Sequence, residues 1–124
     1  MKLLLDTHAA LWFLSADERL SANARQHLTD GSNTVLLSAV VVWEVAIKRS
    51  LGKLVVPDEY LGLLLGAGAQ ALAVSVEHAA AVARLPPHHR DPFDRMLVAQ
   101  AGIERAALVS SDEALRPYGI TLIA

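Results

Sequence analysis

Short, almost wholly apolar runs alternate along this chain with longer segments of helical periodicity, and this alternation constrains the fold more than any other feature. The runs lack the apolar–polar alternation of strands with one solvent-facing side, which is typical of strands covered by helices on both faces. Strands that alternate with helices indicate right-handed β-α-β units and a parallel sheet. We therefore predict one α/β domain over residues 1–124, with three layers and a central parallel five-stranded sheet. The predicted strands are residues 2–5, 34–37, 71–74, 107–109 and 120–123. The predicted helices cover residues 7–15, 21–29, 39–51, 58–66, 76–85 and 92–105, with Thr7, Ser21 and Asp91 as caps of three of them.

The composition excludes several classes of protein. With 53% hydrophobic and 19% charged residues the chain is not intrinsically disordered. The absence of cysteine excludes a disulfide framework, a thiol nucleophile and a cysteine zinc site. A formal net charge of −2 argues against a strongly basic domain that grips phosphates along its surface. The N-terminus lacks the apolar region of a signal peptide, and the longest uncharged run, residues 61–76, is too short to cross a membrane. We therefore expect a cytoplasmic protein.

Two aspartates follow predicted strands closely. Asp6 comes directly after the first strand, and Asp112 comes after the fourth, beyond Ser110 and Ser111. The carboxyl ends of parallel strands meet at one edge of the sheet, where open α/β proteins bind their ligands. The alternative for each residue is a helix cap, which is common where a strand turns into a helix.

Glu44 lies in a predicted helix among valines, and Val40 and Val41 share its face. A carboxylate in such surroundings is costly to bury unless it is paired or bound to a metal. The alternative is an exposed salt bridge with Lys48, four residues on. The local sequence favours neither interpretation.

The segment Asp91-Pro92-Phe93-Asp94 is typical of a helix start. Asp91 fits the cap position, Pro92 the first helical position and Asp94 the third. We predict that Asp91 is a cap. Asp94 fits either a capping box or a functional role.

Asp6, Glu44, Asp94 and Asp112 thus form a candidate set from four separate segments. Carboxylates about 5 Å apart repel by roughly 3 kcal/mol per pair at an effective dielectric constant of 20. A divalent cation would stabilise such a cluster, and an all-oxygen ligand set selects Mg²⁺ or Mn²⁺.

The segment 85–101, which reads LPPHHRDPFDRMLVAQA, resembles the signature of PIN-domain proteins, and most closely the VapC-like toxins of type II toxin–antitoxin pairs. Three further blocks occur in that family's order and resemble its other acidic segments. They are residues 4–8, 37–54 and 108–112.

This resemblance implies a PIN fold and a metal-dependent endoribonuclease with Mg²⁺ or Mn²⁺ as cofactor. Asp6 and Asp94 would be the main metal ligands, and Glu44 and Asp112 would complete the pocket directly or through water. Ser110 would orient water or metal. Thr7, beside the first acid, and Arg95, after the third, would support the site or contact the phosphate. The implied partners are RNA, an antitoxin protein and a second copy of the chain. The alternative function is a PIN-like module that acts mainly by binding RNA or protein.

Three other segments allow two interpretations each. His88, His89 and Arg90 form a polar loop that touches RNA or is simply solvated. Lys48, Arg49 and Lys53 form a basic rim or a plain solvated face. The helix from Tyr60 to Gly66, apolar nearly all round, is a partner surface or an ordinary core helix.

Overall fold

The computed structural model describes residues 1–124 and confirms the α/β class. The strands are β1 (Lys2–Leu5), β2 (Thr34–Ser38), β3 (Gln70–Leu72), β4 (Ala107–Val109) and β5 (Leu122–Ile123). The α-helices are α1 (Thr7–Leu14), α2 (Ala22–Thr29), α3 (Ala39–Ser50), α4 (Tyr60–Gly66), α5 (Val76–Val82) and α6 (Pro92–Glu104), and a 3₁₀ helix spans Glu113–Tyr118. The five strands are all parallel and lie in the order β3-β2-β1-β4-β5.

The central strands form the middle of the core. Leu3, Leu4 and Leu108 are completely buried, and Leu5 and Val109 are 1% exposed. Successive residues of a strand point to opposite faces, so burial of both requires cover on both sides of the sheet. This explains why β4, and β1 after its exposed first residue Lys2, are apolar throughout.

The chain changes direction across the sheet between β1 and β4. From β1 it runs outward through β2 to β3, and it then returns to β4 and β5 on the other side of β1. This is the topological switch point at which α/β sheets form their ligand crevice. Leu5 is paired with Val109, and the main-chain N–H of Asp6 donates to the Val109 carbonyl at 3.1 Å. Asp6 and Ser110 therefore leave the sheet side by side.

The predicted cap of α1 is wrong by one residue. Asp6 is the cap, and its Oδ1 accepts from the main-chain N–H of Ala9 at 2.7 Å. Asp6 has extended backbone because it is still bonded to β4, so the helix begins at Thr7.

The remaining differences are at the ends of elements. The 3₁₀ helix was not expected, and β5 is shorter than the predicted 120–123. A single 3₁₀ segment that contains Pro117 has no helical apolar period to detect. The caps Ser21 and Asp91 are confirmed.

No helix has both the length and the apolar character that a membrane crossing requires. In α4, Tyr60 and Leu64 are buried, as the core-helix interpretation requires, whereas Leu63 and Leu65 are 51% and 42% exposed. The helix thus has both a core face and an exposed apolar face.

Candidate functional site

Asp6 is buried at the switch point, and one of its carboxylate oxygens accepts a main-chain hydrogen bond. Besides capping α1 it interacts with the hydroxyl of Ser110, which is 1% exposed. Burial raises the pKa of Asp6, and the hydrogen bonds from Ser110 and from the Ala9 N–H oppose that rise. The charge of Glu44 adds to that rise, so the two carboxylates are near enough to repel each other.

Glu44 is buried and paired at the same time. It is 5% exposed on the inner face of α3, near the buried Val40 and Val41. Thr7 Oγ1 donates to its Oε1 at 2.5 Å, and Lys48 Nζ donates to its Oε2 at 2.5 Å. The salt bridge expected from the spacing is present, but it reaches into the protein rather than lying on the surface. A partner on each oxygen offsets the cost of burying the charge.

Asp94 is carried by α6, one turn before the buried Leu97 and Val98, so it faces inward. Burial is the main reason why its pKa is raised to about 7, and the charges of Asp91, Asp6 and Glu44 contribute. No donor hydrogen-bonds its carboxylate, and the nearest is His89 Nε2 at 3.5 Å.

Asp91 caps α6 by accepting from the main-chain N–H groups of Phe93 and Asp94 at 2.8 and 3.2 Å. The capping-box interpretation of Asp94 is wrong. The N–H of Asp91, which Asp94 would have to accept, donates instead to His89 Nδ1 at 3.0 Å.

Asp112 begins the 3₁₀ helix, where its Oδ1 accepts from the N–H of Ala114 at 3.0 Å. Its Oδ2 lies 2.9 Å from His89 Nε2. Its own N–H donates to Ser110 Oγ at 3.1 Å, so Ser110 joins the fourth acid to Asp6. The ligand atoms of His89, Asp94 and Asp112 all lie within 4.8 Å of one another. Asp6 and Glu44 lie outside this compact group.

Arg95 contacts the chain's own backbone. Its two terminal nitrogens lie within 3.1–3.5 Å of the carbonyls of four residues and 3.2 Å from Tyr118 Oη. The four residues are Val82, Leu85, Pro86 and His89. The side chain therefore clamps the loop before α6 onto the helix and onto the 3₁₀ segment.

Two of the three residues of the predicted basic rim form salt bridges with acidic residues of the chain. Lys48 pairs with Glu44, and Arg49 pairs with the exposed Asp58. The hydrogen bond with Glu44 is the main cause of a raised pKa for Lys48, and the charges of Asp91 and Asp94 also act on it. Lys48 therefore stands at the border of the acidic site as its one neighbouring ammonium group.

Of the four predicted acids, Asp94 and Asp112 share a compact group with His89, and Asp6 and Glu44 act on Asp94 through their charges. Sequence reasoning missed His89, because two adjacent histidines in a polar loop resemble solvated residues. The donor set favours a hard cation: carboxylate oxygens come from four elements, and the charged form of Asp94 is disfavoured by burial and then by repulsion from neighbouring acids. A cation would relieve that repulsion.

Comparison with known proteins gives one family match. The model of the PIN domain matches residues 3–120. A search of curated proteins gives no match.

Several solved structures share the fold at low sequence identity. A chain of VapBC2 from Rickettsia felis, crystallised with a DNA fragment from the promoter, has a TM-score of 0.73 at 15% identity, over 98% of this chain and 97% of that one. DNA-bound VapBC from Salmonella typhimurium gives 0.71 at 16% identity, over 98% and 96%. A toxin–antitoxin complex from Klebsiella pneumoniae gives 0.60 at 19%, over 89% and 86%.

Proposed function

The chain belongs to the PIN domain family, and we propose that it is a metal-dependent endoribonuclease that serves as the toxin of a type II toxin–antitoxin pair. The observation that carries the nuclease proposal is the acidic cluster at the switch point, where the pKa of Asp94 rises to about 7 among like charges. Glu44 is paired with Lys48, but no lysine or arginine pairs with Asp94, whose nearest ring nitrogen, His89 Nε2, is 3.5 Å away.

Asp6 and Asp94 would hold Mg²⁺ or Mn²⁺, and Glu44 and Asp112 would complete the site directly or through water. When bound, such an ion supplies an activated water and neutralises charge on the scissile phosphate. The protein's own side chains would orient the water and keep the acids in place.

The proposed reaction is hydrolysis of an RNA phosphodiester. The oxygen of a water forms a bond to phosphorus in line with the leaving group, the bond from phosphorus to the 3′ oxygen breaks, and a proton passes to that oxygen. The products are a 5′-phosphate and a 3′-hydroxyl. Glu44 or Asp112 orients the water, and Thr7 and Lys48 keep Glu44 in place. The ribose 2′-hydroxyl takes no part, so the chemistry alone does not exclude DNA.

The activity is tested with a 5′-labelled RNA, with and without EDTA. We expect cleavage that stops in EDTA and is lost in Asp6→Asn and Asp94→Asn. Glu18→Gln, which changes an exposed carboxylate, is the matched control and should cut like the wild type. Undiminished cutting by either aspartate variant would refute the assignment of the site, and RNA binding without cutting by the wild type would favour the binding module. Sequencing of transcript 5′ ends after brief induction would identify the target.

The toxin part of the proposal is supported by the similar structures, which are of two VapBC complexes and a toxin–antitoxin complex. A groove of about 380 Å³ beside α1 offers an apolar seat for an antitoxin segment. Its apolar lining includes Leu11, Trp12, Leu14, Leu54, Val56 and Leu63. We expect growth arrest on expression and relief when the small protein encoded beside the gene is co-expressed. Leu63→Asp should abolish that relief and leave RNA cleavage intact. If Leu63→Asp is still neutralised, the groove is not the seat.

We also propose that the protein is a homodimer that acts in the cytoplasm, where its RNA substrate is. The mean hydropathy of +0.36 is high for a 13.3 kDa chain, and Leu63 and Leu65 leave an apolar face on α4. Sedimentation velocity should give twice the chain mass. A monomer at micromolar concentration would contradict the dimer.

A further inference from the structure

His89 is held at four points. Its main-chain N–H donates to Tyr118 Oη at 3.0 Å, and its carbonyl accepts from Arg95 at 3.5 Å. On the imidazole, Nδ1 accepts from the N–H of Asp91 at 3.0 Å, and Nε2 lies 2.9 Å from Asp112 Oδ2. The side chain is 18% exposed. An exposed loop histidine would not be fixed at both ring nitrogens and at both main-chain groups.

These contacts assign the tautomer of the neutral ring. The main-chain N–H of Asp91 can only donate, so Nδ1 must be the acceptor. The ring hydrogen is then on Nε2, and Nε2 donates to the Asp112 carboxylate. A nitrogen that carries this hydrogen has no lone pair in the ring plane to offer a metal ion. His89 therefore does not act as the third ligand of a site with Asp94 and Asp112, despite their 4.8 Å spacing.

Asp112 needs such a donor. Its side chain is 42% exposed, and its other oxygen is used to cap a short 3₁₀ helix. Without a partner on Oδ2, the carboxylate would be free to interact with solvent rather than face Asp94. His89 supplies that partner, and the clamp of Arg95 on the loop keeps the imidazole in reach.

We propose that His89 is a positioning residue of the acidic site: its Nε2–H holds the Asp112 carboxylate beside Asp94, and the imidazole stays outside the set of metal ligands. The proposal rests on the proposed function for the identity of the site as a cation site. Hydrogen bonds from such partners orient metal-binding groups, and their loss typically weakens metal affinity 10- to 100-fold.

The first test is spectroscopic and uses the wild-type chain labelled with ¹⁵N-histidine at pH 8. Long-range ¹H–¹⁵N spectra should show His89 with a bare Nδ1 and a protonated Nε2, before and after addition of Mg²⁺. Loss of the Nε2 hydrogen on titration with Mg²⁺ would make His89 a ligand and overturn the proposal. A ring protonated on Nδ1 in the metal-free protein would overturn it too.

The second test measures Mn²⁺ affinity by calorimetry. His89→Ala should bind Mn²⁺ about 10- to 100-fold more weakly, whereas His89→Gln, whose amide can still donate to Asp112, should keep most of the affinity. His88→Ala is the matched control, because His88 is exposed and only meets the edge of Tyr118. Equal affinity in His89→Ala and the wild type would refute the positioning role, and so would equal losses in the Ala and Gln variants.

The two proposals fail in different ways. A wild-type chain that binds Mn²⁺ and passes both tests but cuts no RNA would remove the proposed nuclease and leave the role of His89 intact. A wild-type chain that cuts RNA, with His89→Ala unchanged in Mn²⁺ affinity, would do the reverse.

Discussion

Replacing Asp94 with asparagine should stabilise the metal-free protein at alkaline pH. In the folded chain the pKa of Asp94 is raised from 3.8 to about 7, chiefly by burial and then by the charges of Asp91 and Asp6. In the unfolded chain the carboxyl group regains its ordinary pKa. Above pH 7 the folded state therefore carries an unfavourable charge, which asparagine removes while keeping the shape of the side chain.

The size of the effect follows from the change in pKa. The pKa rises by about three, and each unit corresponds to about 1.4 kcal/mol, so the charge lowers the free energy of unfolding by up to about 4 kcal/mol above pH 7. Below about pH 4 the group is protonated in both states and the penalty vanishes. Between these limits the unfolded chain releases its proton first, so stability falls as the pH rises.

The same penalty can be expressed as a melting temperature. For a chain of 124 residues, an unfolding entropy of about 2.1 cal/mol/K per residue gives about 4 °C per kcal/mol. Asp94→Asn should therefore melt up to about 15 °C above the wild type at pH 8 in EDTA. The difference should shrink steadily and disappear near pH 4.

Thermal unfolding followed by circular dichroism from pH 4 to 8 measures this difference. Glu18→Gln is the control for loss of an exposed carboxylate and should melt with the wild type at every pH. Asp91→Asn retains a capping oxygen but removes the charge beside Asp94, so it should show a smaller rise of the same sign. Mg²⁺ at 100 times its dissociation constant should add about 2.7 kcal/mol to the wild type and nothing to Asp94→Asn. An Asp94→Asn variant that melts at or below the wild-type temperature at pH 8 in EDTA would refute the reasoning.

Three further substitutions test the supports of the site. Thr7→Val removes the hydroxyl that donates to Glu44 and should lower the free energy of unfolding by about 1.5–3 kcal/mol in urea titrations, with Thr7→Ser close to wild type. Lys48→Met removes the ammonium that pairs with the buried Glu44 and should lower the free energy of unfolding by about 3 kcal/mol. The double variant Lys48→Met with Glu44→Gln should recover most of this loss. Arg95→Lys replaces a planar guanidinium with a single ammonium, which cannot reach carbonyls on several residues at once. Amide hydrogen exchange in residues 83–91 should therefore accelerate, whereas exchange in β1 should stay slow.

The sheet was predictable because burial on both faces leaves a direct mark on the sequence. A strand covered by helices is apolar at its covered positions, as β4 is throughout and β1 is after Lys2. The site was predictable to the extent that it depends on strand ends, because a parallel sheet brings the residues after β1 and β4 to one edge. Asp6 and Asp112 both lie at that edge for this reason, and Ser110 bonds to both of them.

The features that could not be predicted from the sequence depend on contacts between distant segments. His89 and Asp112 are 23 residues apart, and nothing local in the pair His88-His89 indicates that one imidazole is fixed and the other is exposed. The choice between Asp6 and Thr7 as cap was equally hidden, since both residue types cap helices well. The bond from Asp6 to β4 decides it.

Capping and metal binding, treated as alternatives for each aspartate in the sequence, are compatible in the structure. Asp6 and Asp112 each use Oδ1 to accept a main-chain N–H, and that bond fixes the direction of the second oxygen. The second oxygen of Asp112 is held by His89. Asp94 alone lacks a hydrogen-bond donor, and burial, followed by the charges of Asp91 and Asp6, raises its pKa to about 7. The surrounding acids are thus positioned by main-chain groups, by the hydroxyls of Thr7 and Ser110, by His89 and by the Lys48 ammonium, whereas no donor hydrogen-bonds Asp94. A cation that binds there gains most from Asp94, and this is why its substitution should stabilise the metal-free fold and abolish the effect of Mg²⁺.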